Sequence, residues 1–509
     1  MALSDVLVVG GGHNGLVAAC YLAQAGLDVR LIEARNELGG ATTSKEVFKG
    51  VAAKLSRYSY LVSLLPDQIV SDLKLNFDTI GRDISSFTPT FDDRGLLISR
   101  TWDERTGQSF SAVGAESDAR AWQEFYGEIA EAAPIIANTF LKPLPSRGEV
   151  RQALNPKTFS TLFEVPLGES LEGRFSHDLV RGIVLTDGLI GTFADAFDRS
   201  LLVNRCFLYH LVGNGSGQWR VPRGGMGALV DELIARAKSL GVEIETGVRA
   251  QSIESGEVVA EGNEGQLLRY KSRFIVAAIA PRELDRLERR SKYRSFAPGS
   301  QIKINMVLEK LPRLRSGVSP EDAFAGTFHF DEGMAQMQKA FAEASAGSLP
   351  QVIPAEIYSH TLADRSILGS ELDQRGFHTL TLFALHTPYQ LFIGKNEAVK
   401  QEAKTRLLRQ LNNYLADPIE ECLARDEDGQ LCIEVKSPLD LENELGLPEG
   451  NIFHGDLEFP FREESENLLW GSETRTENLF LAGAGAKRGG GVSGIGGHNA
   501  AMAILDRLA

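Results

Sequence analysis

Residues 10–15 read Gly10-Gly11-Gly12-His13-Asn14-Gly15, and a carboxylate, Glu33, stands 18 residues beyond the last of them. Glycines at 10, 12 and 15 fit G-x-G-x-x-G. The first permits a tight turn, the second lets backbone approach a pyrophosphate, and the third lets a helix pack against a strand. Free N–H groups at the start of the following helix, with its positive dipole end, would receive the phosphates. Glu33 would accept hydrogen bonds from an adenosine ribose, and its charge disfavours a 2′-phosphorylated one. A second glycine-rich stretch lies near the other end of the chain, with eight glycines between 483 and 497. So many glycines are costly in a plain loop. Backbone lying flat against a ligand explains them.

The elements around these residues suit the chemistry. Val6-Leu7-Val8-Val9 is an all-apolar run, as a buried parallel strand requires. A helix follows through Leu16, Val17, Ala19, Cys20 and Ala23, stopped by Gly26. Asp28 to Ile32 forms the next strand and ends in Glu33. Pro222 and Gly224-Gly225-Met226-Gly227 open a helix through Leu229, Leu233, Ala237 and Leu240, which leads to the strand Val242-Glu243-Ile244. Phe274 to Ala278 and Asn478 to Ala482 read as further strands, and a closing helix runs through Ile495, Met502 and Leu505. The expected fold class is α/β. One nucleotide-binding domain is assembled from residues 1–75, 216–288 and 471–509. An inserted α+β substrate domain has a helical part, 76–215, and a mixed part, 289–470. Gln301 to Leu308 alternates polar and apolar residues, which predicts a strand with one covered face.

The chain continues past the ribose acid as Ala34, Arg35, then Gly39, Gly40 and Ala41. This second glycine pair resembles the flavoprotein superfamily that contains amine oxidases and carotenoid desaturases. The resemblance implies FAD, held in a Rossmann-like, glutathione-reductase-type domain. It places Arg35 near the adenosine or the phosphates. Near the C-terminus, Gly483-Ala484-Gly485, then Gly489-Gly490-Gly491-Val492-Ser493-Gly494, looks like the signature of the phytoene desaturase family. A helix start near Val492 to Gly494 would point N–H groups at the flavin and favour its anionic reduced form. In that family Val248 matches a position whose backbone meets adenine, and Ala278 ends the strand lining the cofactor. His13-Asn14-Gly15-Leu16-Val17, Ser56-Arg57 with Ser59-Tyr60-Leu61, and Gly450-Asn451-Ile452-Phe453-His454-Gly455 resemble a narrower branch, named pyridine nucleotide-disulphide oxidoreductase domain-containing protein two. Three positions depart from the wider pattern. Ala41 follows Gly40 where relatives carry Arg, Ser56 replaces an expected Asp, and Ala486-Lys487-Arg488 replaces Thr-His-Pro.

Only one dinucleotide fingerprint is present, and Cys20, Cys206, Cys422 and Cys432 form no C-x-x-C. Electrons from a reduced flavin would leave to oxygen, a quinone or a protein, unless the net reaction is redox-neutral. Lys487 and Arg488, in the glycine loop, are the candidate charges beside the reactive ring. His454 is a candidate acid or base, and Tyr60 a candidate for lining the ring. His329, His360, His378 and His386 show no metal-ligand spacing, so no metal is expected. By the family resemblance, the helical insert covers an apolar tunnel to which Leu61, Leu64 and Leu65 contribute.

The 509 residues carry 53 Lys+Arg against 68 Asp+Glu, a formal charge of −15. That balance repels nucleic acid and anionic lipid surfaces. No run of ~18 apolar residues occurs, and the sparse cysteines fit a reducing compartment. A cytoplasmic protein is expected, with peripheral membrane contact left open by analogy. The sequence reads as an FAD-dependent oxidoreductase, dehydrogenase- or desaturase-like, that takes hydride from an apolar small molecule. The alternatives are a flavin amine oxidase, a flavin-assisted isomerase or reductase, and a non-catalytic FAD-holding protein.

Overall fold

The computed structural model describes residues 4–254 and 256–509. The first apolar run becomes β1 (Ser4–Val9), whose Val6, Leu7 and Val8 have no solvent exposure. It leads through the glycine turn into α1 (His13–Gln24) and then β2 (Val29–Glu33). The second segment supplies α2 (Met226–Ser239), β3 (Glu243–Thr246) and a meander of β4 (Arg249–Glu254), β5 (Glu257–Glu261) and β6 (Leu267–Ala277). The third supplies β7 (Leu479–Leu481) and α3 (Ile495–Leu508). All three segments share one sheet, ordered β4-β5-β6-β1-β2-β3, with β7 pairing β6.

Strands β1, β2, β3, β7 and the C-terminal half of β6 run parallel. Their carboxyl ends therefore reach the same edge, where an open parallel sheet binds ligands. On one face, Leu16 and Leu22 of α1, Leu233 of α2 and Ile504 of α3 pack on Val6, Val8 and Val276. On the other, Leu7, Val9 and Ile32 meet the meander through Val258 and Ile275. Helices α1 and α3 cross with backbone in contact. A Cβ added at Gly497 would lie 2.1 Å from the Asn14 carbonyl oxygen.

The second sheet is built from the intervening residues. Its order is Ile433–Lys436, Ile302–Leu308, His378–Ala384, Ala355–Tyr358, Thr327–Phe330, Ile84–Pro89, Gly95–Ser99. Thr327–Phe330 pairs Ile84–Pro89 in parallel, and the other neighbours are antiparallel. Two of these strands come from 76–215, so that stretch is not purely helical. Its remainder forms helices including Glu116–Ala137, Asp178–Leu189 and Leu202–Val212, packed through Phe125, Ile129, Val184 and Phe207.

The strand expected to have one covered face is buried on both. Ile304 and Met306 pack with Leu407 and Leu411. Lys303 and Asn305, 4% and 0% exposed, point the other way, into the chain just after Ser56. The Lys303 ammonium donates to the carbonyls of Ser56 and Ser59, and Asn305 Nδ2 donates to the Arg57 carbonyl at 3.1 Å. Alternation marked the two faces correctly, but the polar face meets the nucleotide-binding domain instead of water. Among the described residues, no helix is long and apolar enough to cross a membrane.

The α1–α3 crossing yields a direct expectation. Gly497→Ala must separate two backbones, so it should lower stability by about 1–3 kcal/mol, measured as a shift in the urea unfolding midpoint.

Candidate active site

The turn after β1 is held by its neighbours. Gly10 has φ +105°, and a Cβ there would stand 2.6 Å from the Ala278 carbonyl oxygen. At Gly15 a Cβ would meet the Gly10 carbonyl oxygen at 2.0 Å. Gly12 differs, with open space where its Cβ would be. It is the N-cap of α1, has no side chain to cap the helix, and no acid follows in the first turn. The N–H groups there are available to an anion.

Glu33 closes the same turn. Its Oε2 accepts from Gly11 N–H at 2.7 Å and its Oε1 from Arg35 N–H at 2.9 Å. The second glycine pair lies alongside, with Gly39 N–H donating to the Gly11 carbonyl at 2.9 Å. Gly40 faces Gly12, whose Cα would lie 3.6 Å from an added Cβ. Val248 donates its N–H to the Glu33 carbonyl at 2.8 Å, and Ala278 donates to Val9 at 2.8 Å. From the far end of the chain, a Cβ at Gly483 would meet the Ile279 carbonyl oxygen at 2.5 Å, and one at Gly485 would meet Pro281 at 2.5 Å. Gly491 and Gly494 take φ +55° and +71°, with Val492 between them. Gly494 is the uncapped start of α3.

Along this seam, buried polar atoms lack protein partners: His13 Nε2, Asn14 Oδ1, an Arg35 guanidinium nitrogen, Thr43 Oγ1 and His454 Nδ1. Such groups are costly to bury unsatisfied. A bound dinucleotide with a flavin ring would supply phosphates, hydroxyls and ring heteroatoms to them. The residues present fit FAD. Burial pushes both His13 and His454 down to about 4, so both imidazoles are neutral at neutral pH. Ala41 presents its carbonyl to Ser59 Oγ at 3.0 Å. Ser56, in place of an acid, accepts from Met226 N–H at 3.0 Å and so caps α2.

The two cations expected beside the ring, Lys487 and Arg488, are committed to protein partners. Lys487 pairs with Glu466 at 2.7 Å and Glu458 at 3.4 Å. Arg488 is fully buried and donates to the carbonyls of Thr139, Lys142 and Trp470 at 2.6, 2.6 and 2.8 Å. Both brace the glycine loop against the insert. Arg488 itself takes φ +62° within this loop.

Tyr60 faces a cavity of about 390 Å³ between the insert's helices and the second sheet. Its hydroxyl donates to Glu356 Oε1 at 3.0 Å, and its ring stacks obliquely on Tyr358 and Phe383 at 4.3 and 4.4 Å. The walls are not those of an apolar tunnel, because Arg82, Asp187, His329 and Glu356 line them along with Trp122 and Tyr126. Leu61, Leu64 and Leu65 are buried in three separate clusters instead.

Comparison with known proteins agrees with the fold. The family of NAD(P)-binding Rossmann-like domains matches residues 8–67. An uncharacterized protein of Mycobacterium tuberculosis is 43% identical, covering 99% of this chain and 97% of its own. Pyridine nucleotide-disulfide oxidoreductase domain-containing protein 2 of Mus musculus is 29% identical over 99% of this chain and 94% of its own. A limonene dehydrogenase chain of Castellaniella defragrans is 24% identical over 99% and 95%. Among solved structures, putrescine oxidase bound to putrescine shares the fold, with a TM-score of 0.59 at 16% identity over 100% of this chain and 99% of that one. The chain belongs to one family with the mycobacterial protein, and the matches together support an FAD-type oxidoreductase. The word disulfide in the relative's name has no counterpart in this oxidoreductase, whose four cysteines are free and buried.

Sequence reading missed the groups that line the cavity, and it missed Lys303. Burial pushes the Lys303 ammonium down to about 7, against the opposing pull of Glu434. Its place in an alternating strand was the available signal; nothing in the alternation said that the polar face is covered. The unfolded chain holds this proton up to the ordinary lysine range, so between about pH 7 and 10 unfolding takes up a proton and stability rises with pH. Lys303→Met should remove this slope, up to about 1.4 kcal/mol per pH unit. Urea unfolding of both proteins at pH 7 and pH 9 measures it.

Proposed function

We propose that this oxidoreductase is a dehydrogenase of the desaturase-like kind, taking hydride from a saturated carbon of a small molecule. The observation that carries the reading is the seam of uncapped helix starts and partnerless polar atoms at the carboxyl edge of the parallel sheet, adjoined through Ser59 and Tyr60 by a cavity. FAD supplies the hydride acceptor when bound. The α1 N-terminus and Gly12 receive its pyrophosphate, and Glu33 the adenosine ribose. Arg35, paired with Glu37 on one side, keeps a buried guanidinium nitrogen for an anion. Gly39, Gly40, Ala41, Gly491 and Val492 would hold the ring through backbone groups. Lys303 Nζ, tied to the Ser56 and Ser59 carbonyls, can hold or release a proton near neutral pH. Helices of the insert form one wall of the cavity, which Trp122, Tyr126 and Ile183 line. The electrons pass on to an external acceptor: oxygen, a quinone or a protein.

The visible spectrum of the purified protein tests the first half of this reading. We expect non-covalent FAD in about equal amount with the chain, and its loss in Gly12→Val, whose side chain fills the pyrophosphate approach. Anaerobic titration with candidate substrates tests the second half: bleaching of the flavin identifies a hydride donor. A colourless protein that takes up no added FAD would overturn the proposal.

A further inference from the structure

The cavity beside Tyr60 holds more ionisable groups than it pairs. Asp187, on the helix Asp178–Leu189, forms no ion pair among the described residues; its charged neighbours are His329, Glu332 and Arg82. Tyr126 and the Cys206 thiol also lie close to it. Glu356, 1% exposed, accepts from Tyr60 and has no cation at salt-bridge distance among the described residues. His329 is balanced by Glu332, 2.6 Å from its Nδ1. Arg82 lies 5.5 Å over the Tyr358 ring and donates from Nε to the Trp219 carbonyl at 3.2 Å; one terminal nitrogen is buried without a partner. The unpaired groups are thus two carboxylates against one guanidinium. Thr186, 2% exposed, lines the same cavity with its hydroxyl unpartnered.

Carboxylates without a counter-ion, Glu356 buried and Asp187 partly buried in the cavity wall, are expensive to keep ionised. Burial and the nearby Glu332 hold Asp187 up at about 7 and Glu356 well above the ordinary carboxylate range. An anion would oppose their ionisation further. A cation would relieve them, in a cavity that Trp122, Tyr126 and Tyr60 also line.

We propose that this cavity is the substrate chamber and that the substrate is a largely apolar molecule ending in a cationic nitrogen, seated against Asp187 and Glu356. The role as substrate chamber rests on the oxidoreductase reading above; the preference for a cation does not.

Three probes of one shape separate the chemistries: 4-phenylbutylamine, 4-phenylbutanol and 4-phenylbutanoate, titrated calorimetrically into the flavin-loaded wild-type protein. We expect the amine to bind at least about tenfold more tightly than the other two, a difference of about 1.4 kcal/mol. Because a bound cation favours ionised carboxylates, amine binding at pH 7 should release protons, seen as a dependence of the heat on buffer ionisation enthalpy. Asp187→Asn should abolish the amine preference while leaving alcohol binding within about twofold; Glu356→Gln serves as the second variant. Equal binding of all three, tightest binding of the acid, or no binding of any of them to the wild type would overturn the proposal. The flavin spectrum recorded on the same samples separates the two readings. Amine binding without any reducible flavin would sink the oxidoreductase role alone, whereas flavin reduced only by neutral compounds, with no amine preference, would sink this proposal alone.

Discussion

The structure depends on backbone meeting backbone at the carboxyl edge of the parallel sheet. Gly15 lies on the Gly10 carbonyl, Gly483 on the Ile279 carbonyl, and Gly497 on the Asn14 carbonyl, each too close for any side chain. These contacts bring residues from the two ends of the chain and from its middle to one line. They also leave the starts of α1 and α3 without capping side chains. A helix start with no cap and no nearby acid is an anion site. The glycines therefore do two jobs with one property, tight assembly and an open face for phosphates and ring.

Charge is distributed to serve that arrangement. Most of the cations near the seam are committed: Lys487 to two glutamates, Arg488 to three carbonyls, Lys303 to two more. Arg488 joins the glycine loop to the residues that follow the helix Glu116–Ala137, and Asn499 adds a bond to the Phe140 carbonyl at 3.0 Å. The insert is thereby fixed to the cofactor loop, and the cavity under it has a set position relative to the seam. Inside that cavity His329 pairs with Glu332, while Asp187, Glu356 and Arg82 form no ion pair among the described residues.

The cofactor half of the site was legible because its requirements are local. A turn with positive φ, a helix starting immediately after a strand, and an acid at the end of the next strand are short-range features that residue types mark directly. The catalytic half was not legible for the converse reason. Lys487 and Arg488 looked like free charges because their partners lie far off in the chain, Glu466 and Glu458 for one and Thr139, Lys142 and Trp470 for the other. Ser56 looked like the loss of an acid, yet its hydroxyl caps α2 across 170 residues of sequence separation.

The sequence by itself determined the nucleotide-binding sheet, the glycine turn, Glu33 and the FAD-type family, since each is written in contiguous residues whose conformational needs are specific. Only the tertiary structure decided that two strands of the insert join the second sheet, that Lys303 is buried, and that Asp187, His329, Glu332 and Glu356 face one another. Those groups come from a helix, two strands and the turn after one of them, far apart in the chain, and their chemistry arises from shared burial. Burial is a property of packing, which no single stretch of residues carries.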